Sequence, residues 1–164
     1  MKTMLSHLIE QFQCIYNGSP WYGDSLLQKL EKADAEAVFA TPAPGLHSVA
    51  QQVAHILAWR RVLAERLKGN ADFQVKINSA SDWPSQAELQ VKGWDAILAE
   101  LTENQQEITQ LLSAETDDLL DRLYDGKRTF RMLIEGILQH DIYHIGQIGL
   151  VLTLINEEKL SQKV

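Results

Sequence analysis

With a single cysteine, Cys14, in 164 residues, the chain can form no intrachain disulfide and no cluster of thiolate ligands. One unpaired thiol suits a reducing compartment, and a cytoplasmic location is expected. No apolar run approaches the roughly 20 residues that span a bilayer. Met1 leads into a mixed polar and apolar pattern, not a basic segment followed by an apolar one, so no membrane partner is expected. Positive charge is scarce: 15 Lys and Arg against 22 Asp and Glu leave a formal net charge of −7. Non-specific nucleic-acid binding needs a basic face that displaces counterions. No nucleic-acid partner is expected, and Arg60, Arg61, Lys127 and Arg128 are the only clustered cations from which a local basic patch can be built. A GxSxG nucleophile motif, a glycine-rich phosphate loop, internal repeats and low-complexity tails are also missing.

What is present is helical periodicity. Leu5, Leu8, Ile9, Phe12 and Ile15 recur at helical spacing and predict a first helix from about Thr3 to Tyr16. NGSPWYGDS breaks it, and a short helical piece from Leu26 to Ala33 precedes TPAPG. Ser48 is the expected N-cap of a second long helix that reaches about Lys68, with Gly69 just beyond its end. A third helix is expected from Ser85 to about Leu112, with Leu89, Ile97, Leu101 and Ile108 facing inward. SAETDDLLDRLYDGKR then connects, with room for one short helical turn, to a fourth helix capped by Thr129 and ending near Asn156. The pattern predicts an all-α four-helix bundle in one domain, 1–164, a length that buries about 70% of the unfolded chain's surface. Between the second and third helices, Gly69 to Pro84 show no periodicity. A loop of this length predicts a role at the functional end of the bundle or in a dimer contact, with Phe73 and Trp83 as apolar anchors.

Chemistry concentrates in three histidines. His140 and His144 stand at i and i+4 in QHDIYHIGQI, so one helix face carries both imidazoles. On that face they interrupt the apolar stripe of Leu133, Ile137, Val151 and Ile155 near its middle. His55 lies on the second helix, at the edge of its stripe beside Trp59. Buried imidazoles need partners for their nitrogens. Two readings are open at this point: hydrogen bonds to buried groups such as Gln52, Tyr143 or Gln147, or a shared metal ion with an open coordination position.

The neighbouring residues qualify the chemistry. Asp141 occupies the place of the general base in an HExxH motif, but it is shorter and turned a third of a turn away. It is expected to orient a histidine or pair with a basic residue. Trp59 can wall a pocket, Tyr143 can orient a ligand or donate a proton, and Gln147 can hydrogen-bond a histidine from the same face. His47 is expected at the surface or satisfying a loop, too far from His55 to share an ion with it. His7 lies off its helix stripe, and Cys14 is expected to behave as a small hydrophobe.

PGLHSVAQQVAHILAWRR, a later YDGKRTF segment and then GILQHDIYHIGQIGLVL together resemble the DinB/YfiT-like superfamily. The resemblance runs from NGSPWYGDSLLQKLEKADAEAVFATPAPG through the last helix, and QHDIYHIGQI is its most specific part. It implies a four-helix bundle that holds a divalent metal with one histidine of the second helix and the HxxxH pair of the last, here His55, His140 and His144. It also implies homodimers and a small-molecule substrate. Some members are thiol-dependent S-transferases or isomerases that activate a low-molecular-weight thiol, and others are metal-dependent hydrolases. Nitrogen-only ligation suits zinc or nickel. The alternative is a non-catalytic bundle that binds a metal or a small ligand.

Overall fold

The computed structural model describes residues 3–35 and 37–161. Positions 1–2, 36 and 162–164 of the expected 1–164 domain lie outside the described residues. Among the described residues there are six α-helices in chain order: α1 (Met4–Asn17), α2 (Leu26–Glu31), α3 (Val49–Leu67), α4 (Gln86–Lys92), α5 (Trp94–Ser113) and α6 (Phe130–Ser161). Short 3-10 turns stand at Ala37–Phe39 and Asp117–Asp121. Among the described residues there is no strand, only an isolated bridge between Leu123 and Thr129.

Capping groups set the helix starts. The Thr3 hydroxyl accepts the Ser6 N–H at 3.1 Å, and the Asp117 carboxylate accepts those of Met4 and Leu5 at 3.1 and 2.9 Å. Those first-turn donors have no intrahelical partner, and their bonds hold the Asp117 carboxyl below its ordinary range. Ser48 caps α3 in a reciprocal box with Gln51. Its hydroxyl donates to Gln86 Oε1 at 2.9 Å, and Gln51 Nε2 donates to the Pro84 carbonyl at 3.2 Å. The start of α3 is thereby tied to the end of the 69–84 loop.

The expected third helix is two helices. Gly93 takes φ +84°, a conformation that only glycine adopts without strain, so the chain turns between α4 and α5. Leu89, Ile97, Leu101 and Ile108 are all buried as expected. The last helix continues past Asn156 to Ser161.

α3 packs against α5 and α6, and α1 packs against the same two helices, enclosing one apolar cluster. At its centre is a charge. Arg60 of α3 is 0% exposed; its Nε donates to Asp141 Oδ2 of α6 at 2.8 Å and its Nη1 to Gln105 Oε1 of α5 at 2.8 Å. The guanidinium carbon lies 5.8 Å from the ring centroids of both Phe12 and Tyr16 of α1. This corrects the reading of Arg60 as part of a surface patch: it is an interior cation shared by all four long helices. Arg61, beside it, pairs with Glu100 at 2.6 Å.

Asp141 also corrects the reading of the α6 stripe. The most buried line of that helix is Ile134, Leu138, Asp141, Ile145 and Ile148, so the carboxylate holds the middle of the stripe. His140 and His144 lie at its edge, where the bundle opens.

Candidate metal centre

Three nitrogens, one each from His55, His140 and His144, lie within 4.8 Å of one another. His55 projects from the middle of α3, and the other two from successive turns of α6. The Nε2 atoms of His55 and His140 are 3.0 Å apart. With metal-to-nitrogen bonds of about 2.0–2.1 Å, neighbouring ligands of a tetrahedral ion sit roughly 3.3 Å apart. The closest edge of the triad therefore already has the dimension that one ion requires.

Hydrogen bonds fix which nitrogens are free. His55 Nδ1 is 2.8 Å from Asp82 Oδ1 and 3.1 Å from the Asp82 carbonyl oxygen, both acceptors, so this nitrogen carries the proton. His144 Nδ1 stands 2.6 Å from Gln52 Oε1 and donates to it. Both rings therefore present an Nε2 lone pair to the common centre, and an outer acceptor holds each tautomer, as is usual for metal-bound imidazoles. A direct bond from His140 to His55 satisfies only one of the converging lone pairs. One cation satisfies all three, and the residues present fit it.

Asp82 does more than face His55. It is 2% exposed, its Oδ1 accepts the Trp59 indole N–H at 2.9 Å, and its Oδ2 accepts the Asn78 backbone N–H at 2.9 Å. Asn78 holds φ +58°, a conformation that asparagine tolerates better than most residues. Trp83 stacks on the His55 ring at 3.8 Å between centroids, and His47 stacks on Trp83's other side at 3.7 Å. The 69–84 loop thus reaches the site through Asp82 and Trp83. Phe73, expected as a second anchor, lines a separate groove with Val75 and Leu89.

A cavity of about 550 Å³ opens at the triad. Trp59, Tyr143 and Gln147 line it, and so does His47, read from the sequence as a surface or loop residue. Gln52 Oε1 is the acceptor for His144 Nδ1, and the Gln147 side chain also bonds His144, which raises the imidazole's pKa against burial. Asp141 is directed away into the core pair with Arg60, so of its two expected roles it takes the basic partner. Asp82 escaped the sequence reading altogether. Its only signal was a carboxylate beside a tryptophan, SDWPS, in a loop without periodicity. His7 is exposed and bonds Gln11 at 2.8 Å.

Burial sets the protonation of the site. Desolvation, with the neighbouring imidazoles second, lowers His140 from 6.5 to about 3. His144 falls to about 4 for the same reasons, and burial lowers His55 against the pull of Asp82. Neutral imidazoles are the form that binds metal. In the unfolded chain these groups titrate near 6.5, so between about 4 and 6.5 the unfolded state binds more protons than the native one. That contribution to stability is fully present above 6.5 and is lost as the pH falls through the folded values. Metal-free protein should show a falling thermal midpoint from pH 7 to 4.5, with a shallower fall in His140→Ala. Parallel profiles for the two proteins would contradict this assignment.

Substituting Asp82 by asparagine tests the outer acceptor. Loss of such a partner costs about 10–100-fold in metal affinity, and competition with a chromophoric chelator should register it without a change in helical circular dichroism. Undiminished affinity would remove Asp82 from the site.

No helix among the described residues is long and apolar enough to cross a membrane. A family model described as the DinB superfamily matches residues 23–148 of the chain. No curated protein and no solved structure matches it.

Proposed function

This chain belongs to the DinB superfamily, and on that premise we propose that it is a metal-dependent transferase that joins a low-molecular-weight thiol to an electrophilic small molecule. The observation that carries the reading is the convergence of three imidazole nitrogens, two with their tautomers fixed by Asp82 and Gln52, on the lining of an open cavity. His55, His140 and His144 would hold the ion, and zinc or nickel suits a nitrogen donor set. A divalent cation there supplies Lewis acidity, which makes a thiol or water beside it easier to deprotonate.

The chain's own groups favour a thiol over water as the nucleophile. Water activation is helped by a free general base, and neither nearby carboxylate is free: Asp82 holds His55 and Trp59, and Asp141 is buried against Arg60. A thiol ionises near pH 8.5 unaided and needs less help. Trp59 and Trp83 lie against the His55 ring, and Tyr143 lines the cavity with most of its surface exposed. In the transfer the sulfur forms a bond to the electrophilic carbon, the leaving group departs with its electron pair, and the thiol proton passes to solvent.

The test is formation of the thioether from 2-mercaptoethanol and 1-chloro-2,4-dinitrobenzene by zinc- or nickel-loaded protein. Transfer should depend on metal and vanish in His55→Ala. Hydrolysis of an aryl ester without thiol transfer would favour a hydrolase instead. Metal-loaded protein inert to both would favour a non-catalytic binding protein.

A further inference from the structure

Resting on the metal-centre reading above, we propose that the cavity selects an uncharged, predominantly apolar ligand, held by burial of the side chains at its mouth and not by charge. Leu46, Ile77, Tyr143 and Leu150 all line the cavity, and they remain 42%, 67%, 64% and 59% exposed. Single exposed apolar residues are ordinary, but a group of them around one concavity marks a surface that something covers. They come from three separate parts of the chain: the segment before α3, the 69–84 loop and α6. The fold brings all four to the cavity that the triad also lines.

The polar groups inside complete the argument. Among the described residues lining the cavity none is Lys or Arg, and both oxygens of the one carboxylate, Asp82, are already engaged by His55, Trp59 and the Asn78 N–H. Carboxylate and phosphate ligands are ordinarily gripped by guanidinium or ammonium groups. An anionic thiol finds no such partner on this lining, and the formal net charge of −7 opposes its approach. What the cavity does offer is neutral: the amides of Asn78 and Gln147. A cavity of about 550 Å³ accommodates a drug-sized molecule. The fitting class is a neutral aromatic or aliphatic molecule with one N–H or O–H group for an amide oxygen of that lining.

The experiment uses N-phenyl-1-naphthylamine, a neutral apolar fluorophore with a single N–H, on the metal-free full chain. Its emission should rise on binding, and benzyl mercaptan should displace it from zinc-loaded protein at roughly tenfold lower concentration than mercaptosuccinate, on the scale of one buried apolar group. Leu150→Lys changes an exposed side chain on α6 and should leave the fold intact. It should weaken the fluorophore by roughly tenfold and move the preference toward mercaptosuccinate. Absence of enhancement, mercaptosuccinate competing as well as benzyl mercaptan, or a Leu150→Lys protein indistinguishable from wild type would each overturn the proposal. Binding of the fluorophore by metal-free protein does not require the ion. Wild-type protein that retains no zinc yet binds the fluorophore would therefore sink the metal-centre reading and leave this one standing.

Discussion

Replacing His144 by alanine is expected to release the metal while the helices stay intact. The substitution takes away one of the three converging imidazoles that would hold the ion and also leaves Gln52 Oε1 without its donor. Bundle stability comes from the apolar faces of α1, α3, α5 and α6, which His144 only borders. Metal content after dialysis should fall from one ion per chain to near zero, with helical circular dichroism unchanged. Full occupancy in the variant would remove His144 from the ligand set. Collapse of helical content would show that the ring serves packing first.

The second large effect is on stability and concerns the core pair. Asp141→Asn should destabilise the fold by about 3–5 kcal/mol, because it strands the Arg60 guanidinium in a site with no access to water. In a chain of this size that corresponds to a fall in Tm on the order of 10 °C. Burial pushes the Asp141 carboxyl up to about 6 while Arg60 pulls it down, so the measurement belongs at pH 7.5 or above, where the pair is ionised. The double variant Arg60→Met, Asp141→Leu should recover most of the loss, since apolar replacement of a whole buried pair is often neutral or better. Metal binding should survive in both, because Asp141 holds no ligand. Unchanged stability in Asp141→Asn would mean that Gln105 alone satisfies the guanidinium.

The sequence made local features legible and tertiary ones not. Ser48 as a cap, the inward set from Leu89 to Ile108 and the common face of His140 and His144 all follow from helical spacing over a few residues. That His55 meets the pair depends on how α3 packs on α6. Helical spacing set His55 only at the edge of its stripe, and the resemblance supplied the pairing. Gly93 was passed over because one glycine inside a long periodic stretch does not by itself break a helix; its positive φ does.

Arg60 was misread for a related reason. Beside Arg61 it looks like half of a basic patch, and only the approach of Asp141, Gln105 and two aromatic rings from other helices makes its burial tolerable. Asp82, Trp83 and His47 lie in segments without periodicity. Their approach to His55 is set by the capping bonds of Ser48 and Gln51 to Gln86 and Pro84, and no pattern in the loop announces those bonds.

X-ray absorption at the zinc edge of wild-type protein loaded with one equivalent of zinc tests the central claim most directly. The spectrum should show a first shell of nitrogen and oxygen at about 2.0–2.1 Å, with outer-shell scattering from three imidazoles. A sulfur shell, an all-oxygen shell or the absence of imidazole scattering would contradict it.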